Sequence, residues 1–410
     1  MILPIIFNSK LYSLNMKMKP GEFIALSACI MMLTALGIDI MLPAFAQLRE
    51  HLGLRPESTE TAQIISFFFM GQVVQIIFGT LSDSFGRLAI LRIGFPIYIA
   101  SGIAAAFAPN LSLILVFRFV AGMGASALFM ATIAGVRDRF KGDEMARKMS
   151  LVFTIFLLVP VIAPFLGVAI MSVSNWQAVF LTPPLFAVII FAWSFRMEES
   201  LPREKRISLN WKAISQTIRS IFSNPIFIRY TGITTLLFTA LSAYVSSSEH
   251  IIGNIYGKPG YFAWIFAGGG LLCSFSTLLN ARLSTKYGAR RTLRALLVIY
   301  TLVSTLLLFF TIGDNDPPGM IIFFTTVSLL LAINLAVEPN SSALALEPLG
   351  NMAGMAAAIY GTSFFFIGSL LGSFISQIMD KKVLPLVGGF FIIGVGSLFI
   401  AVSDRKRLRK

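Results

Sequence analysis

Residues 79–87 read Gly79-Thr80-Leu81-Ser82-Asp83-Ser84-Phe85-Gly86-Arg87, and a weakened copy follows as Ala281-Arg282-Leu283-Ser284-Thr285-Lys286-Tyr287-Gly288-Ala289. The two share Leu-Ser, then an aromatic residue before a glycine, in one register. The second has lost the leading glycine (Ala281) and the acid (Thr285). Gly79 and Gly86 permit close backbone approach and a tight turn. Asp83 is an acid at a helix end, within reach of a helix N-terminus or of Arg87. A turn repeated in this way marks a chain built from two related halves.

Working outward from the two turns, apolar runs of span length recur at 22–45, 59–81, 88–108, 112–136, 148–172, 174–195, 226–248, 260–283, 292–312, 319–346, 352–378 and 384–402. Each is near the ~20 residues that cross ~30 Å of hydrocarbon as a helix. Each copy of the turn falls between the second and third run of a set of six. Of the 33 Lys and Arg residues, all except Arg49, Arg55, Lys258, Lys381, Lys382 and Arg118 lie at the termini or in alternate gaps between runs. The positive-inside rule then places both termini in the cytoplasm. The expected fold class is an all-α membrane protein of twelve transmembrane helices in two six-helix halves.

Composition agrees. With 56% hydrophobic and 13% charged residues, 410 residues cannot cover a soluble globule. The net charge of +14 sits in short loops beside the spans. It forms no continuous nucleic-acid face, and anionic inner-leaflet lipid explains it more simply. Cys29 and Cys273 lie within apolar runs, so neither a disulfide framework nor a metal site is expected. Residues 1–15 lack a small-residue cleavage site, so no cleaved signal peptide is expected. Met16, opening Met-Lys-Met-Lys-Pro, reads as the natural start, with residues 1–15 untranslated or a disordered tail.

The expected organisation is an N-tail (1–21), a six-helix half (22–195), a cytoplasmic linker (196–225), a second six-helix half (226–402) and a basic C-tail (403–410). Within the linker, apolar residues at 211, 214, 218, 221 and 222 have helical spacing. They fit a helix lying on the membrane interface, and a plain tether is the alternative.

The 79–87 string resembles the loop 2–3 signature of the major facilitator superfamily, Gly-x-Leu-x-Asp-x-x-Gly-Arg, with Leu88 in place of the usual second basic residue. Further along, Phe117-Arg118-Phe-Val-Ala-Gly122-Met-Gly124 is similar to the superfamily's helix-4 arginine motif. Val136-Arg137-Asp138-Arg139-Phe140, Pro160-Val-Ile-Ala-Pro164-Phe-Leu-Gly167 and Ala343-Leu-Ala-Leu-Glu347-Pro-Leu-Gly350 resemble the bicyclomycin/chloramphenicol-resistance (Bcr/CflA-type) drug:proton antiporters. In helix 5, Pro160, Pro164 and Gly167 follow the antiporter pattern, while Ala163 and Val168 replace its other glycines. Such prolines and small residues bend a helix and let a neighbour pack closely. The resemblance implies a conformational gate at Gly79, Asp83, Gly86, Arg87, Arg137 and Asp138. We expect the start of helix 11 near Asn351 to meet this gate in the outward-facing state.

Asp39, Arg118 and Glu338 are the ionisable side chains well inside the runs. A central charge costs ~2.5–3.5 kcal/mol on insertion scales, so each is a proton-coupling candidate. Asp39 and Arg118 both lie ~10 Å from the outer ends of their runs at 1.5 Å per residue, hence at one depth. In the resembling family, helices 1 and 4 line the cavity and an acid in an Asp-x-x-x-Pro context, here Asp39 to Pro43, takes part in coupling. An acid set between apolar walls, which favour its neutral form, and an arginine, which favours its charged form, is poised to exchange a proton. A static ion pair is the plainer reading. Glu338, before Pro339 in helix 10, reads as a second proton site or ligand contact, or as a buried acid bonded to Asn334 or Asn340. Tyr244, Glu249, Asn334, Asn340 and Phe365 are further cavity candidates. Of Phe67–Phe69 and Phe364–Phe366, one or two in each cluster can face a ligand. His51 and His250 fall at outer span ends as surface residues.

With no Gly-x-x-x-x-Gly-Lys-Ser/Thr loop and no cluster of catalytic groups at one depth, neither an ATP-driven pump nor an enzyme is expected. The resemblance implies a monomeric, cofactor-free secondary transporter of the bacterial inner membrane. Its partners would be protons, lipid and a small-molecule substrate. Multidrug export is the simplest cargo, and a siderophore or metabolite permease is the alternative.

Overall fold

The computed structural model describes residues 18–207, 209–313, 316–379 and 381–403. Residues 1–17, including Met16, and the basic tail 404–410 thus lie outside the described residues. Among those described, twelve helices are long and apolar enough to cross a bilayer. In order, helices 1 to 6 are Pro20–His51, Glu60–Phe85, Arg87–Ala106, Leu111–Arg139, Arg147–Val173 and Trp176–Ser194. Helices 7 to 12 are Pro225–Ile255, Pro259–Tyr287, Ala289–Gly313, Met320–Gly350, Ala353–Gln377 and Leu384–Val402. Large apolar side chains such as Val173, Ile321 and Phe399 are more than 70% exposed on the outer wall, where lipid replaces water as solvent.

Helix starts follow local chemistry. Asn110, Asn175 and Asn224 each accept a first-turn backbone N–H through the side-chain oxygen. Pro225 at the first helical position gives up no needed donor.

Two spans are interrupted. Helix 1 is regular over Pro20–Asp39, passes through a 3-10 turn at Leu42–Ala44, and resumes as Phe45–His51. Pro43 accounts for the break, since it has no N–H for the Asp39 carbonyl one turn back and its ring crowds that carbonyl. The span therefore ends at His51, and Asp39 lies twelve residues from that end, deeper than a run stopping at 45 implies. Helix 2 tightens over Gln72–Val74 between Gln63–Gly71 and Gln75–Phe85. There Gly71 faces Gly122 of helix 4, and a Cβ on either would strike the other helix's backbone. Helix 7 continues past His250 as a π turn over Ile251–Ile255, so His250 is buried rather than at the surface. His51 is exposed and packs 5.2 Å from the Trp176 ring.

Helices 2 and 11, and helices 5 and 8, form the seam between the halves. Pro160 and Val161 of helix 5 pack on Gly270 of helix 8. Gly167 packs on Ile40 and Pro43, filling the break in helix 1. The linker contains a helix, Trp211–Phe222, which favours the helical reading of that segment. Ile221 is buried, and Ile214 and Ile218 turn toward Ile76 and Ile77 of helix 2. The side chains of Trp211 and Ala213 lie outside the described residues.

Candidate functional site

A cavity of about 590 Å³ lies between the halves. It reaches the face that carries the 79–87 turn and the linker, called the linker face below. Its walls come from helices 2, 4, 5, 10 and 11, with Ile207 and Ile214 of the linker at its rim. Its floor is aromatic. Tyr360, Phe364 and Phe365 line it, and Phe365 sits 6.0 Å from Phe69 and 5.0 Å from Phe238. Phe69 and Phe238 are buried behind that floor, and Phe68 is fully buried. Of Phe364–Phe366 two rings thus line the cavity and of Phe67–Phe69 none does, within the limit of one or two that helical geometry sets.

Beyond the floor the far face is shut. Ser66 and Ser246 share a hydrogen bond of 3.2 Å across helices 2 and 7. Further out, Arg49 donates to both carboxylate oxygens of Glu249, at 2.7 and 2.9 Å, and to Thr61 Oγ1 at 3.1 Å. Arg49 is 2% exposed and Glu249 8%, so this bidentate pair is desolvated and joins the first helix of each half. Sequence reading placed Glu249 as a cavity candidate and left Arg49 as a loop base. The available signal was that both charges fall near the outer end of the first helix of a half.

At the linker face Arg87 is the hub. It donates to Asp83 Oδ1 at 2.5 Å, to Asp138 Oδ2 at 2.8 Å and to Ser82 Oγ at 3.1 Å. Helices 2, 3 and 4 are tied together there. Glu199, unforeseen from sequence, accepts the backbone N–H groups of Arg87 and Leu88 at 3.0 and 3.2 Å, capping helix 3 with an anion. Ser200 donates to Asp138 at 3.1 Å, and Ile207 N–H donates to the Asp83 carbonyl at 3.1 Å. The linker segment is thus bound to the 79–87 turn and to Asp138. Arg137 is exposed at the cavity mouth. Gly79 packs on Met130 and Ala358. The side chain of Asn351 lies outside the described residues.

Asp39 and Arg118 are 5% and 2% exposed, and neither lines the cavity in this conformation. No ion pair joins them among the described residues. Arg118 instead donates to the Gly37 carbonyl at 2.6 Å and lies 4.4 Å over the Phe68 ring. The break in helix 1 explains this. Met41 N–H bonds to Ile38 rather than to Gly37, leaving Gly37 an orphan carbonyl that the guanidinium satisfies. The structure thus gives Arg118 a backbone partner in place of the acid.

Glu338 lines the cavity beside Tyr360, whose hydroxyl lies 3.5 Å from the Glu338 carbonyl and 2.7 Å from Thr234 Oγ1. Asn334 donates to the Leu237 carbonyl and Asn340 to Asn280, both at 2.6 Å, so the expected amide partners of Glu338 serve helix packing instead. Tyr244 is buried away from the cavity.

Residues 27–373 match the family model of the Major Facilitator Superfamily. The chain belongs to that superfamily. It is a multi-pass membrane transporter, not an enzyme. Among curated relatives, a bicyclomycin resistance protein homolog of Haemophilus influenzae is 26% identical over 97% of this chain and 100% of its own length. An uncharacterized MFS-type transporter, YdgK of Bacillus subtilis, is 26% identical over 94% and 97%. Multidrug resistance protein MdtL of Escherichia coli is 27% identical over 63% and 66%. These agree with the Bcr/CflA-type resemblance of the sequence. Among solved structures, a D-xylose–proton symporter superposes with a TM-score of 0.74 at 12% identity, covering 92% of this chain and 97% of that one. The human organic anion transporter MFSD10 gives 0.69 at 14%, covering 93% and 100%.

Proposed function

We infer that this superfamily member is a proton-coupled exporter of amphipathic small molecules in a bacterial inner membrane, working as a monomer by alternating access. The observation that carries the reading is the roomy, aromatic-floored cavity between the halves, reached from the linker face and latched at the far face by Arg49–Glu249. A volume of this order suits a drug-sized ligand. The concentration of Lys and Arg on the linker face supports a cytoplasmic linker and termini. The conformation then corresponds to substrate uptake from the cytoplasm. The bicyclomycin and multidrug resistance names of the relatives favour drug-like cargo over a siderophore.

In this account the halves 22–195 and 226–402 rock about the cavity while 196–225 stays bound to the gate cluster. Opening outward separates Arg49 from Glu249 and closes the linker face by bringing the start of helix 11 against the Asp83–Arg87–Asp138 cluster, which is already joined within the first half here. Asp39, at the break in helix 1, carries the coupling proton. Arg118 positions that break by holding the Gly37 carbonyl. One proton moving down ~100 mV supplies ~2.3 kcal/mol, roughly fifty-fold accumulation at 1.4 kcal/mol per decade.

Reconstitution in proteoliposomes tests the reading. With a proton gradient imposed, ethidium should be concentrated against its gradient, and a protonophore should abolish that. Transport that is indifferent to the protonophore, or absent in a well-folded preparation, overturns it.

A further inference from the structure

Among the described residues, five charged side chains line the cavity: Asp83, Arg87, Arg137, Asp138 and Glu338. Arg87 binds both aspartates at the linker face, and Arg137 stands exposed at the mouth. Glu338 is set apart. It lies at the aromatic end, and its carboxylate has no hydrogen-bonding or ion-pair partner among the described residues. An unpaired carboxylate in an apolar cavity is costly, and the cost falls when a cation arrives to pair with it. Tyr360, whose hydroxyl lies 3.5 Å from the Glu338 carbonyl, packs its ring on Phe364 with centroids 5.5 Å apart, and Phe129 and Phe156 line the same cavity. Ring faces attract cations, most strongly where water is excluded.

The neighbouring polar side chains point the same way. The amides that would otherwise neutralise the acid are committed elsewhere, Asn334 to Leu237 and Asn340 to Asn280. The Tyr360 hydroxyl is taken up by Thr234 at 2.7 Å. Glu338 therefore has no internal partner competing with a ligand.

We propose that Glu338, with the Tyr360 and Phe364 rings, forms a recognition site for monovalent organic cations of delocalised, weakly hydrated charge, and so sets this transporter's preference within the amphiphiles. This rests on the exporter reading above. A compact, strongly hydrated cation is disfavoured, because the apolar cavity offers it no replacement for its water shell. A lipophilic aryl cation loses little hydration and gains the acid and the rings together.

The test compares tetraphenylphosphonium with uncharged triphenylphosphine oxide, measuring binding to the purified full-length protein and uptake into energised proteoliposomes. The wild type should prefer the cation by about tenfold or more, one decade being ~1.4 kcal/mol. Glu338→Gln should bring the ratio close to one, and Glu338→Asp should keep most of it. Reading the ratio cancels any general loss of affinity. Phe364→Leu should lower the ratio without removing it. A wild-type ratio near one overturns the proposal, whatever the variants do. So does a ratio unchanged in Glu338→Gln. If both compounds are transported equally, the exporter reading stands and the cation site falls. If neither moves under a gradient, the exporter reading fails as well.

Discussion

The turn closed by Gly86 and the turn closed by Gly288 are one piece of backbone used twice. Both glycines have positive φ, 103° and 82°, and both donate N–H to the serine carbonyl four residues back, at 3.0 and 2.9 Å. Their chemistry differs. Around Gly86, Asp83, Arg87 and Asp138 are joined, and Glu199 of the linker caps the next helix. Around Gly288, Thr285 bonds only to the Ala281 carbonyl one turn back, and Ala289 stands where the first copy has arginine. An added Cβ on Gly288 would meet no atom within 4 Å, whereas one on Gly86 would strike the Glu199 carboxylate. The backbone turn is kept in both copies, and the charge cluster only in the first, to which the proposed account assigns the gate.

Three tests press on that difference, from the largest expected effect to the smallest. Arg87→Gln removes charge-assisted bonds to two acids. Asp83 is half exposed, which discounts its share, so a stability loss of about 2 kcal/mol is expected together with a severe loss of transport. Lys286→Gln, which removes a charge at an exposed site of the second turn, should stay within about 0.5 kcal/mol. Thermal unfolding and an uptake assay check both. If the two variants behave alike, the asymmetry carries no functional weight.

Gly86→Ala should cost more than Gly288→Ala. Each costs roughly 1–3 kcal/mol for a side chain in a backbone region open essentially to glycine alone, and the first must also expel Glu199 from the helix-3 cap. Melting temperatures of the two variants report the gap, and equal shifts would show that the linker contact contributes nothing. Asp83→Asn is the mildest change. It should leave expression intact and tilt the balance of states toward inward-facing by a few-fold, an effect of about 1 kcal/mol. Spin-label distances between the halves measure it, and unchanged distances would remove Asp83 from the gate.

Much of the fold was legible because bilayer thickness fixes helix length and the spacing of basic residues fixes the gaps. The repeated glycine turn was legible for a similar reason, as positive φ demands glycine wherever the turn recurs. The site was less so. Depth arithmetic treated helix 1 as straight, although Pro43 breaks it, so Asp39 lies deeper than counted and Arg118 meets a freed carbonyl rather than the acid. Arg49 and Glu249 are 200 positions apart, and only the docking of the two halves brings them together. Glu199 looked like an ordinary linker charge because its partners are backbone N–H groups, which leave no mark in sequence. Asn334 and Asn340 were placed in the right helix, but polar residues between packed helices serve packing as readily as binding.

The central claim is that Asp39 loads and unloads the coupling proton. The most direct measurement is proton release from the purified protein on adding tetraphenylphosphonium, in weakly buffered solution with a pH-sensitive dye. The wild type should release protons in proportion to ligand bound, and Asp39→Asn should bind the ligand, release none and fail to concentrate it under a gradient. If Asp39→Asn still releases protons and still accumulates substrate, the coupling site lies elsewhere, and Glu338 becomes the residue to test.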